Sequence, residues 1–142
     1  YSEIYSIYHK KLTTKGVDSH YINKEELIKI SQDLSTMYNT IVVVTGKEDI
    51  VSFKKESLIL KNGSDYLPKV TGTGCMLGAI IAASTSFEIN IEAIALAISI
   101  MNIAAEEADK SKGMASFKIS LLDEISLINK EKLKEKIRYE RL

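Results

Sequence analysis

Cysteine and proline each occur once and glycine seven times in 142 residues, and each scarcity closes off a class of protein. A single cysteine forms no internal disulfide, so a reducing compartment is the simpler setting and a cytoplasmic location is expected. No surplus of either charge exists, because 19 Lys and Arg balance 19 Asp and Glu. Nucleic acid and anionic membranes are therefore not expected partners. Long apolar runs are missing too: the most apolar stretch, residues 93–101, is too short for a bilayer and is bounded by Glu92 and Asn102. No basic segment followed by an apolar one opens the chain, so no secretory signal is visible. Repeats, low-complexity tracts and internal linkers are likewise not found. What remains is an ordinary globular composition, 45% hydrophobic and 27% charged, sufficient for about one domain. The chain also lacks an initiating Met, starting at Tyr1 inside an apparent amphipathic helix with no N-cap before Ser2. A processed product, or a larger protein that has lost its front half, would begin this way.

Three of the seven glycines and the sole cysteine fall together in Val70-Thr71-Gly72-Thr73-Gly74-Cys75-Met76-Leu77-Gly78. Closely spaced glycines let a backbone turn sharply and leave its N–H groups uncovered. The apolar residues that follow Cys75 read as a helix, and a glycine-rich turn feeding a helix N-terminus is suited to an anion. Cys75 falls in the first turn, where the same field favours a thiolate. Spacing alone leaves two readings: an anion cradle holding a base or nucleophile, or a tight turn beside an inert small residue. Two familiar phosphate motifs are excluded. No Lys-Ser/Thr follows the glycines as in a P-loop, and G-x-G-x-x-x-G is one residue too long for a dinucleotide fingerprint.

Periodicity predicts a helix over residues 1–12 and a polar connector over 13–21. Asn23 then caps a second helix, with Glu26 in capping-box position and Leu27, Ile30 and Leu34 inward, running to Tyr38. Ile41-Val42-Val43-Val44 reads as a central strand, apolar on both faces as buried parallel strands are. Residues 49–54 and 57–61 read as a hairpin with Lys55-Glu56 at its turn. Residues 62–69 form the loop into the glycine motif, and the rest reads as helical. One helix spans 74–86 and another, capped by Asn90, spans 91–110 with Ile94, Ala97, Ile98, Met101 and Ala105 inward. A third over 116–128 aligns Phe117, Leu121, Ile125 and Ile128, and Asn129 caps a charged helix over 130–139. So few strands leave the buried one without neighbours on both sides, so a layered α/β domain should have more strands upstream. Residues 1–142 are thus expected to be a single incomplete domain.

The segment Val70-Thr71-Gly72-Thr73-Gly74-Cys75 resembles the signature of the hydroxyethylthiazole kinases, thiamine-salvage enzymes of the ribokinase-like superfamily. Lys15-Gly16-Val17-Asp18-Ser19, Val43-Val44-Thr45-Gly46 with Asp49, and Ser116-Phe117 with Leu122-Asp123 fit the same family in the same order. Most ribokinase-like kinases carry Asp where this motif has Cys75. The resemblance covers essentially the whole chain and about the last half of a family member. It implies the C-terminal part of a three-layer α/β/α fold, helix-rich after the glycine motif, that moves the ATP γ-phosphoryl group to the hydroxyl of 4-methyl-5-(2-hydroxyethyl)thiazole. By the same resemblance Cys75 is the general base, and Gly72, Thr73 and Gly74 form an anion hole. Gly72 would also contact substrate, Thr45 contact ATP, and Glu3, ending an Asn-x-x-Glu stretch, help hold Mg²⁺ through water. A homo-oligomer, a trimer in this family, is implied, with the thiazole pocket at its interface and built mainly from the N-terminal half.

Other residues carry weaker signals. His9 and His20 lack ligand-spaced partners and read as surface residues. Lys54, Lys55 and Lys61 could face phosphates or solvent. Gly113-Met114-Ala115-Ser116 departs from the family's Gly-Pro-Gly-like turn. Two alternatives remain at this level: another ribokinase-like small-alcohol kinase, of the hydroxymethylpyrimidine type, or an inactive nucleotide-binding or assembly fragment. On either family reading this chain alone is expected to be inactive.

Overall fold

The structure, a computed structural model, describes residues 1–9 and 23–142. The Lys15 to Ser19 motif, His20 and the end of the first predicted helix lie outside the described residues. Helix α1 spans Ser2–His9 and α2 spans Lys24–Tyr38. Asn23 caps α2 as expected, its side chain accepting from the Glu26 N–H at 2.7 Å. Asn39 ends the helix in the left-handed region at φ 47°, a conformation Asn tolerates better than most residues.

Strands β1 (Val42–Val44), β2 (Asp49–Phe53) and β3 (Glu56–Leu60) follow in an antiparallel meander. The hairpin turn is Lys54 and Lys55, one residue earlier than predicted, with Phe53 opposite Glu56. Lys54 adopts φ 55° there. The expectation of a central, parallel first strand is corrected. Val44 pairs with Ile50 in antiparallel register, and among the described residues β1 has one neighbour, at one end of the sheet. Its apolar character arises because helices cover both sheet faces, which antiparallel strands also permit.

Residue alternation assigns those faces. Val51, Leu58 and Leu60 join Ile91, Ile94, Ala95 and Ile98 of α4 (Ile91–Glu107) in one core. Val44 and Ile50 meet Leu27 of α2 on the other face, with Ile4 of α1 alongside. That second face also holds a polar seam, in which Ser52 Oγ lies 2.7 Å from Ser31 Oγ and 2.8 Å from Ser57 Oγ. The result is the three-layer α/β/α arrangement that the resemblance implies. A 3₁₀ turn at Leu67–Lys69 precedes α3 (Thr73–Thr85), and α5 spans Met114–Leu127. Helices α3 and α5 both pack on α4. Phe117 and Leu121 fill a further core with Val70, Met101 and Ala104.

Helix α5 begins at Met114, ahead of its predicted start, and two helices stop well short of the periodicity. Helix α4 stops at Glu107 rather than residue 110, because Asp109 accepts the Ser111 N–H at 2.8 Å and Lys110 Nζ folds back onto the Glu106 carbonyl. Such side-chain to backbone bonds compete with helix continuation. The last helix, α6, covers only Lys130–Lys136, capped by Asn129 as expected. Tyr139, read as its last residue, instead begins strand β4 (Tyr139–Arg141) against β3. Three charged or aromatic residues carry no alternation to reveal a strand. Charged side chains suit such a sheet-end position: Arg141 pairs with Glu56 and Glu92, and Glu140 with Lys61 at 2.9 Å.

Ile98 is fully buried and Phe87 is 94% exposed. Ile98→Ala is expected to cost about 2–5 kcal/mol of unfolding free energy, whereas Phe87→Ala should stay within about 0.5 kcal/mol. Urea unfolding of both variants checks the assignment of the core.

Candidate functional site

Antiparallel pairing brings the end of β1, the start of β2 and the end of β3 to the same edge of the sheet, since Val44 faces Ile50 and Asp49 faces Leu60. The segments leaving those strands wall a cavity of about 780 Å³. Thr45, Gly46, Lys47 and Asp49 line one side, and residues 61–65 with Leu67 and Pro68 line another. Thr73, Gly74 and Leu77 of α3 and Met101 and Asn102 of α4 complete it.

Helix α3 supplies the electrostatics. Gly72 is its N-cap at φ 98°, left-handed backbone that favours glycine, and with no side chain it caps none of the first-turn N–H groups. A Cβ on Gly74 would meet nothing within 4 Å, so open space adjoins that turn. The Thr73 hydroxyl is already committed, donating to Leu67 O at 2.9 Å with Val70 O at 3.1 Å as the other acceptor. It fastens the 3₁₀ turn to the helix start, so only the Thr73 backbone N–H is left for an anion. Lys118 of α5 places its Nζ 3.2 Å from Thr71 O, beside the glycine turn.

Thr45, Thr73 and Gly74 therefore meet at one cavity. Gly72 and Cys75 belong to the same first turn but lie outside the cavity wall, with the Cys75 thiol exposed. Glu3 sits on α1, 88% exposed, with its carboxylate 3.8 Å from the Tyr1 amino group. Helix α1 is tied to the cavity rim by Tyr1. Its hydroxyl donates to Glu48 O at 2.9 Å, and its ring occupies the space that a Cβ on Gly46 would need. Among the described residues no group of three or more His, Cys, Asp or Glu is placed to hold a metal ion. His9 lies against the Tyr5 ring in a tilted pair at the exposed end of α1. Of the three lysines, Lys61 lines the cavity, whereas Lys54 and Lys55 stay in the hairpin turn.

Several residues in or beside the wall escaped the sequence reading. Asn62 and Asn102 are buried and hydrogen-bonded, and Lys118 approaches the glycine turn from a separate helix. Asn102 offered a signal, as a polar residue inside the apolar face of α4. Asn62 and Lys118 offered none.

The profile of the hydroxyethylthiazole kinase family matches residues 1–131. The chain belongs to that family. It is 46% identical over 137 residues to the hydroxyethylthiazole kinase of Finegoldia magna, covering 96% of this chain and 51% of that protein. Against hydroxyethylthiazole kinase 2 of Clostridium botulinum the identity is 45% over 125 residues, covering 87% and 47%. The structure of a hydroxyethylthiazole kinase protein from Pyrococcus horikoshii OT3 superposes with a TM-score of 0.79 at 32% identity. That match covers 84% of this chain and 47% of the other. The chain spans about half the length of the curated relatives it matches. The glycine–cysteine segment that carries the resemblance forms the uncapped turn beside the cavity.

Asp49 is the buried carboxylate of the cavity wall, and burial raises its pKa above the ordinary 3.8, against the lowering effect of its Asn102 and Gly46 hydrogen bonds. The folded chain then holds this proton more tightly than the unfolded chain. The stability of the wild type relative to Asp49→Asn should therefore grow as pH falls through the raised value towards 3.8, and level off below it. Urea unfolding of both proteins across that range measures the difference, and a gap that narrows with acid contradicts the assignment.

Proposed function

We propose that this chain supplies the nucleotide- and phosphoryl-handling part of a hydroxyethylthiazole kinase, acting with the half of its relatives' length that it does not span. The reaction is transfer of the ATP γ-phosphoryl group to the hydroxyl of 4-methyl-5-(2-hydroxyethyl)thiazole, a thiamine-salvage step. One observation carries this reading: in a chain of this family, a left-handed Gly72 leaves the first turn of α3 uncapped beside a nucleotide-sized cavity. Phosphoryl transfer depends on positioning and charge stabilisation more than on covalent chemistry.

Thr45 contacts the nucleotide, and its position on the cavity wall supports that role. The N–H groups of Gly72, Thr73 and Gly74 face the oxygens of the transferring phosphoryl group as a preorganised anion hole. Lys118 adds positive charge at the same turn. Gly72 also lies against the substrate, whose hydroxyl proton passes to Cys75 Sγ. As it does so, the hydroxyl oxygen bonds to the γ-phosphorus and the bond from phosphorus to the ADP oxygen breaks. The proton then leaves the thiol to solvent. Glu3, a single exposed carboxylate, would hold Mg²⁺, an ion that retains much of its hydration, only through water. Mg²⁺, when bound, neutralises charge on the ATP phosphates. A homotrimer and a cytoplasmic setting complete the reading by family resemblance. Among the described residues no helix is long and apolar enough to cross a membrane.

The test uses a protein of the relatives' length that carries this sequence, assayed with ATP, Mg²⁺ and the thiazole alcohol. Cys75→Ala should lower turnover by about 10²–10⁴-fold, as for loss of a general base, with ATP affinity little changed. Cys75→Asp, which restores a proton acceptor, should recover part of the loss. Near wild-type turnover in Cys75→Ala removes Cys75 from the chemistry. Turnover on the hydroxymethylpyrimidine alcohol in preference to the thiazole would transfer the assignment to the other kinase class.

A further inference from the structure

Asn102 interrupts the apolar face of α4 and is only 4% exposed. Its Nδ2 donates twice, to Asp49 Oδ2 at 2.6 Å and to the Asn62 carbonyl at 2.9 Å. Asp49 uses its other oxygen to accept the Gly46 N–H at 3.0 Å. One carboxamide therefore joins the segment leaving β1 to the segment leaving β3, the two strand-borne walls of the cavity. The Asn62 wall is pinned from behind as well. Asn62 Oδ1 accepts the Arg138 N–H at 2.7 Å, and Glu106 of α4 accepts from the Gly63 N–H at 2.9 Å.

Burying an ionisable carboxylate and two carboxamides costs stability unless every partner is in place. Apolar residues of similar volume would fill the same space at less cost. What they could not do is fix the separation of two loops that share no backbone ladder.

We propose that Asn102 is a positioning residue: with Asp49 it clamps the Gly46 turn to the Asn62–Gly63 segment and so sets the width of the cavity for its nucleotide. This rests on the reading of the cavity as a nucleotide site. The clamp itself is a property of the chain without ligand.

The experiment measures residue-resolved amide hydrogen exchange of the chain without nucleotide, and ATP binding by titration calorimetry. It compares the wild type with Asn102→Leu, Asp49→Asn and, as a purely structural control, Ile98→Val. In Asn102→Leu the Gly46 and Gly63 amides should exchange faster by on the order of tenfold or more. The Val51 and Ile59 amides of the sheet should change no more than in the control. ATP affinity should fall by a similar factor. Should Asn102→Leu not fold, Asp49→Asn carries the test at Gly46, since its carboxamide can accept only one of the two donors that the carboxylate accepts. Exchange at Gly46 and Gly63 that merely follows the sheet amides overturns the clamp. Faster local exchange in a chain whose wild type binds no ATP upholds the clamp and overturns the nucleotide reading instead.

Discussion

The β2–β3 hairpin carries apolar residues on both faces, and covering both is the constraint from which the rest of the molecule follows. Val51, Leu58 and Leu60 require α4 on one side, while Ile50 and Ile59 face α2 on the other. Once α4 lies across the sheet, α3 and α5 must pack on α4. That order of layers carries the first turn of α3 to the end of the sheet where β1 and β3 finish. The site is a consequence of burial: no local motif could bring Thr45 and Gly74 to one cavity without the intervening core.

Polar groups occupy the sheet end because backbone leaving three strands at one edge cannot pair with itself. Asp49, Asn62 and Asn102 satisfy part of that demand with side chains. The glycine turn leaves its own N–H groups unsatisfied. An unmet set of donors at a helix N-terminus, with Lys118 alongside, is a demand for negative charge. The cavity contains both kinds of polar chemistry, one settled within the protein and one open to a ligand.

The strongest sequence signals were local and survived in the structure. Asn23, Asn90 and Asn129 cap the helices assigned to them, because an N-cap is a contact between residues three apart. The glycine motif turns and opens a helix for the same reason. Non-local features fared differently. The direction of β1 depends on its partner rather than its composition, so an apolar run suggested a parallel strand where an antiparallel one exists. Strand β4 exists because the Arg138 N–H and the Lys136 carbonyl find the Asn62 side chain more than seventy residues earlier. Of the site residues named from the sequence, Thr45, Thr73 and Gly74 line the cavity while Gly72 and Cys75 lie beside it. The glycine turn was legible from its spacing, whereas Thr45 was named through the resemblance alone. Lys118 could not be named, since its place beside Thr71 is set by how α5 packs on α4.

Locating ATP on this chain by amide chemical-shift mapping tests the central claim most directly. Binding at the end of the sheet predicts that shifts concentrate at Gly46, Gly63, Gly74 and Cys75. The second groove, between Phe53 and Ile91 at the opposite end of the hairpin, should remain unaffected. Shifts confined to that groove, or none at saturating ATP, would contradict a nucleotide site built from the glycine turn and the Asn102 wall.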